Sequence, residues 1–181
     1  SVVAASPDHW LNKVDFSRFQ ALMPLPYYHV GSENIWLDID GQHFRRVQTT
    51  ALQTGLPDMG VFMSRTSIGH MVRSVQFAST PCESPKILED LPDNRPIALM
   101  INASRWDEVK HKYRHLVDKA EPVYENAELR IMSLAPDSVR AYWREQALGV
   151  SAEMDQRAVF SAGKNWRSTR DAGWLAYLSY D

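Results

Sequence analysis

The 181-residue chain contains one cysteine, Cys82, so no disulfide can close within it and no thiol cluster is available for a structural zinc. It has no run of about 18 consecutive apolar residues, so no segment reads as a membrane-spanning helix. The start, SVVAASPDHW, carries no basic region followed by an apolar one, although a chain cut just after a leader or a membrane helix begins in the same way. Neither sign of charge dominates. Twenty Lys plus Arg against 22 Asp plus Glu leave a net charge of -2, with no global positive field to hold a phosphate backbone, and no nucleic-acid partner is expected. The eight glycines never form G-x-G-x-x-G or a Walker loop, and no G-x-S-x-G element exists. What remains is the composition of a globular domain, 44% hydrophobic and 23% charged, at the length of one domain or one plus a fragment.

The apolar run from Phe19 to Val30 contains Pro24 and Pro26, which predicts a buried strand over Gln20–Met23 that stops at the prolines. Gly31-Ser32-Glu33-Asn34 offers a cap before Ile35, Trp36 and Leu37, a short helix or an irregular lid. Phe44, Val47, Ala51 and Leu52 recur at helical spacing, with Gly55 as the stop. A strand over Gly60–Met63, Ser64 as a cap and a helix through Ile68, Met71, Val72 and Val75 follow. After a Pro- and Asp-rich stretch with a short helical piece at Lys86 to Leu91, Ile97–Ile101 reads as a strand covered on both faces. Ser104 is placed to cap a helix over Arg105–Lys119, and Pro122–Tyr124 with Leu129–Leu134 predicts a hairpin turning at residues 125–128. Pro136 suits the first turn of another helix, whose apolar side is Val139, Tyr142, Trp143 and Val150. The fold class expected is α/β, a mostly parallel sheet flanked by helices, with an added hairpin and a partial β-rich C-terminal tail.

Candidate chemistry is sparse. Asp107, His111 and His115 share a helical stripe with metal-ligand spacing, but Lys112 stands where a zincin has its glutamate, and Lys110 and Arg114 oppose a cation. A solvated helix face accounts for the stripe. Ser32, Ser64, Ser67, His29 and His70 supply hydrolase residue types without a connecting motif, and His70 reads as a structural histidine. Arg65, opening a helix beside Ser64, suits a phosphate or carboxylate; the plainer account is hydroxyl capping with Arg65 paired to Glu33. Trp166, Trp174, Tyr177 and Tyr180 have flat faces that could stack on sugar rings, or serve as core aromatics of a sheet.

The order of short motifs adds to this. Ala21-Leu22-Met23-Pro24-Leu25-Pro26, Thr54-Gly55-Leu56-Pro57 with Gly60 and Ser64-Arg65, then Ile97–Ile101, then Pro122-Val123-Tyr124-Glu125 with Leu129-Arg130-Ile131, resembles the soluble C-terminal part of multi-spanning GT-C-type membrane glycosyltransferase-like proteins. Leu25 to Glu33, L-P-x-x-H-x-G-S-E, is similar to uncharacterised bacterial members of that group. The resemblance covers about residues 18–136. Leu56 departs from the lysine of the G-K-P element, and the stretch between Arg65 and Ile97 is short.

The resemblance implies an extracytoplasmic accessory domain, anchored through a preceding membrane region, with the catalytic acids elsewhere in the parent. On this reading residues 1–17 are a linker from a membrane segment, 18–150 the α/β domain and 151–181 a truncated β-rich tail. Its partners are its own transmembrane region and a glycan or lipid-linked sugar. No cofactor, metal or catalytic residue is expected in the domain itself. Its working surface is the loop Tyr27–Asn34 together with Ser64–Ser67, and His29, Ser32, Glu33, Ser64 and Arg65 are the candidate ligand-binding residues. The alternative is a carbohydrate-binding module whose platform is Trp166 and Trp174.

Overall fold

The computed structural model describes residues 9–30, 36–37, 40–62, 67–79, 85–156, 160–162 and 165–167. Two short 3-10 turns, His9–Asn12 and Phe16–Arg18, lead into β1, Ala21–Leu25. Then come β2, His29–Val30; β3, Trp36–Leu37; α1, Gly41–Thr54; β4, Val61–Phe62; and α2, Ile68–Ala78. A 3-10 turn at Lys86–Glu89 precedes β5, Ile97–Asn102. The chain continues through α3, Trp106–Lys112; α4, Arg114–Val117; β6, Ala120–Glu125; β7, Leu129–Leu134; α5, Pro136–Gln156; β8, Phe160–Ala162; and β9, Asn165–Arg167.

The central sheet has the order β1-β5-β7-β6 and is mixed, not mostly parallel as the sequence predicts. Only β1 and β5 run parallel; β7 enters antiparallel beside β5, and β6 closes the hairpin on the outside. The hairpin thus joins the sheet through its second strand. That strand is almost wholly buried, whereas β6 alternates between exposed and half-buried and carries Pro122 beside a register shift, as an edge strand tolerates. The strand predicted at Gly60–Met63 belongs to a separate small sheet of order β3-β2-β4, and Trp36-Leu37 is a strand in it rather than a helix or lid.

The first strand also runs further than expected, through Pro24 to Leu25. The Leu22 N–H donates outward to the Pro57 carbonyl at 2.9 Å, and Met59 N–H donates to Leu22 O at 2.8 Å. Pro24 has the same parity, so its missing donor faces the side of β1 where no sheet strand lies, and β1 is an edge. Pro26 follows in cis.

The two faces of the sheet alternate along each strand. One buries Met23, Leu25, Leu99, Ile101, Met132 and Leu134 under residues of α2 to α5, including Phe77, Leu116 and Trp143. The other buries Leu22, Ala98, Met100, Leu129 and Ile131 under Val47 of α1 and the N-terminal turns. Residues 9–17, assigned to a linker from the sequence, contribute Trp10, Val14 and Phe16 to this second core, and Trp10 Nε1 donates to Thr50 Oγ1 at 3.0 Å.

Local signals explain several boundaries. Asp40 caps α1, and Gly55 ends it in a left-handed conformation (φ 73°) that suits glycine. The helix predicted over Arg105–Lys119 is interrupted at Tyr113 (φ -112°, ψ 29°), and Ser104 lies inside a 3-10 turn capped by the Asn102 side chain. At the hairpin, Asn126 Oδ1 accepts from the N–H groups of Glu128 and Leu129, an Asx turn that holds the predicted bend. The predicted final helix extends past residue 150 to Gln156, and β8 pairs with β9 as an antiparallel hairpin.

Candidate functional site

Parallel strands deliver their following loops to one end of a sheet, and β1 and β5 therefore define the end where a ligand crevice is expected. Polar residues gather there and along the outer edge of β1. Asn102 ends β5; its Oδ1 accepts from Ser104 N at 3.1 Å and Ser104 Oγ at 2.8 Å, while its Nδ2 donates to Asp40 Oδ2 at 2.7 Å. The other Asp40 oxygen accepts from the Gln42 and His43 N–H groups at 3.0 and 3.2 Å. A single carboxylate thereby ties the start of α1 to the end of β5. His43, one turn into the helix, is 1% exposed, and burial pushes its imidazole down to about 4, so it is neutral at pH 7.

The second knot lies beside β1. Tyr28 OH donates to Asp58 Oδ2 at 2.5 Å, Gln48 Nε2 donates to the same oxygen at 2.6 Å, and Gly60 N–H donates to Oδ1 at 2.8 Å. Burial pushes the Asp58 carboxyl up to about 6 despite these three donors, and the same desolvation, with the Asp58 charge, raises the Tyr28 phenol. The Tyr28 ring meets Phe44 edge-on with centroids 5.4 Å apart. Gly60 is pressed so closely against this ring that a Cβ there would sit 2.6 Å from Tyr28 Cε2 and 2.7 Å from Pro24 Cγ. Tyr27 N–H donates to Tyr113 OH at 3.1 Å, anchoring the chain after the cis proline.

Chemically, this arrangement positions loops. Both Asp58 oxygens are engaged by donors, and His43 is sealed from solvent, so neither presents a free base to a substrate. Among the described residues, no group of three His, Cys, Asp or Glu is arranged to hold a metal ion. His115, assigned to the solvated stripe from its spacing, is instead buried against Tyr142 and Trp143, because the break at Tyr113 changes the helical phase.

Of the residues singled out from sequence, His29 lies fully buried in β2. Ser32, Glu33, Ser64, Arg65, Trp174, Tyr177 and Tyr180 lie outside the described residues, and Trp166 is placed in β9 by its backbone alone. The strands that lead into the two nominated stretches are neighbours: β2 and β4 pair in parallel, with Val30 opposite Phe62. Asp40, His43, Asp58 and Asn102 escaped the sequence reading, and Tyr28 fell inside the nominated Tyr27–Asn34 stretch without being singled out. The contacts that bring them together, Tyr28 with Asp58 and Asp40 with Asn102, span 30 and 62 residues of chain.

Compared with known proteins, the chain matches no family model, no curated protein and no solved structure.

Proposed function

We propose that this domain is the extracytoplasmic lobe of a GT-C-type glycosyltransferase-like membrane protein, acting by positioning an acceptor glycan or covering the membrane site, and not by chemistry of its own. The observation that carries the reading is the order in which the motif-bearing segments enter one sheet. The strand ending in Leu-Pro is β1, the Gly55-Leu56-Pro57 turn bonds back onto it, the buried strand is β5, and the Pro-Val-Tyr-Glu hairpin is β6 and β7. The engaged state of Asp58 and the burial of His43 support a positioning role for the end of the sheet. The working surface under this proposal is the pair of segments that follow β2 and β4 in the chain, with Ser32, Glu33, Ser64 and Arg65 as the contacts. No described helix is long and apolar enough to cross a membrane, so the anchoring spans of this proposal lie outside the described residues.

Topology mapping of the full-length gene product tests the reading. Reporter fusions at the Gly55 turn should be active only on the outer side of the membrane, with several spans encoded upstream of Ser1. A cytosolic product without upstream spans overturns it.

A further inference from the structure

A cleft of about 530 Å³ opens beside α4, on the side of the molecule where α4 meets α5. Among the described residues, its walls carry Lys112, Arg114 and Lys119 against a single acid, Asp118. Asp118 is already taken up by Arg114, whose Nε donates to Oδ2 at 2.9 Å. Among the described residues, neither Lys112 nor Lys119 forms an ion pair. A neighbouring depression of about 350 Å³ shares His111, Arg114 and Asp118 and adds Lys110 and Asp107. The floor is aromatic: His115 lies 6.2 Å from the Tyr142 ring and 5.7 Å from that of Trp143. Burial holds the His115 imidazole below its ordinary value, opposed by the main chain of Phe77 and Ser79.

Basic side chains at the end of a short helix often do no more than complement its carbonyl end. That accounts for Lys110, His111 and Lys112 in the last turn of α3, but not for Lys119, beyond the end of α4, facing the same hollow. We infer that this cleft is a binding site for a phosphoryl anion, with Lys112, Lys119 and Arg114 as its cations and the Tyr142 ring as the face against which the rest of the ligand lies. Lys119, without an ion-pair partner among the described residues, stands with Arg114 and with Lys112, whose ammonium rests only on the Tyr113 ring, around one concavity, and such a set matches a compact group bearing two or more negative charges. The inference does not rest on the glycosyltransferase reading, since no residue of the segments that follow β2 and β4 takes part.

Titration of the 15N-labelled chain with pyrophosphate at low ionic strength tests it. Saturable amide shifts confined to residues 110–119 and the neighbourhood of Tyr142 are expected. The double variant Lys112→Ala/Lys119→Ala should weaken binding by about tenfold or more, and Lys112→Arg/Lys119→Arg should keep it. Absence of saturable shifts up to about 20 mM, a concentration at which even a millimolar site fills, overturns the inference, as does unchanged binding in the alanine variant. Co-sedimentation with phosphatidylcholine vesicles containing phosphatidic acid supports a lipid headgroup as the source when it too is lost in the alanine variant. Pyrophosphate binding without co-sedimentation supports a soluble phosphorylated ligand.

Discussion

The end of the β1/β5 pair and the cleft beside α4 are both rich in polar side chains, yet they use them in opposite ways. At the sheet end and along the β1 edge two carboxylates are turned inward onto backbone or buried donors: Asp40 holds the first turn of α1 and Asn102, and Asp58 holds Tyr28, Gln48 and Gly60. At the cleft Arg114 and Asp118 pair at the exposed surface, and among the described residues the cations outnumber the acid beside them. Polar groups that satisfy one another build architecture, because leaving any one of them alone in the interior is costly. Polar groups left unmatched around a hollow are available to a ligand. Substitutions should therefore unfold the first region and spare the second.

The largest effect is expected at Gly60. Gly60→Ala forces a methyl into the Tyr28 ring and Pro24, an overpacking that costs about 1–3 kcal/mol and lowers the urea midpoint accordingly. Tyr28→Phe comes next: it removes one donor from a buried carboxylate and should cost about 1–3 kcal/mol, toward the lower end because Gln48 and Gly60 still donate. Asp40→Ala removes the cap of α1 and the partner of Asn102, for about 1–2 kcal/mol. Lys119→Ala, at the exposed wall of the cleft, should stay within about 0.5 kcal/mol of the parent. A loss at Lys119 equal to that at Asp40 would erase the contrast between the two regions.

Acid titration sharpens the comparison from inside the sheet end. His43 has its folded value lowered to about 4 from 6.5, so the unfolded chain takes its proton first; the stability it contributes is complete above pH 6.5 and lost as pH falls toward 4. Asp58 has its folded value raised to about 6 from 3.8, so the folded chain keeps its proton longer; its contribution is complete below about 3.8 and lost as pH rises through 6. The two oppose each other across the same window. Denaturant melts between pH 4 and 6.5 should show a steeper acid loss in Asp58→Asn, and a gain on acidification in His43→Gln.

Much of the fold was legible where the determining forces are local. Gly55 at the end of α1, Asn126 in the hairpin turn and the unbroken apolar run of β5 each act through neighbours in the chain. Strand order was not legible, because nothing in Leu129–Leu134 states that it will lie beside β5 with β6 on the outside. Pro24 argued for an early stop only because its edge position is a property of the assembled sheet. The break at Tyr113 was hidden by an apolar spacing that fits a continuous helix. For the candidate site, His29 was nominated as one letter of a motif, whereas Asp58 and Tyr28 acquire meaning only as a pair. The carboxyl's environment comes from a ring and an amide distant in sequence, and no spacing rule reaches them.

Tyr113 stands at the crossing of the two neighbourhoods. Its hydroxyl receives the main-chain N–H of Tyr27, while the ammonium of Lys112 rests 5.3 Å from the centre of its ring. One phenol is thus a hinge pin for the corner between α3 and α4 and a moorage for the strand-to-strand passage behind the cis proline. Replacing it disturbs both quarters of the molecule together, so separating them experimentally has to begin at Lys119 and Gly60, where each can be touched alone.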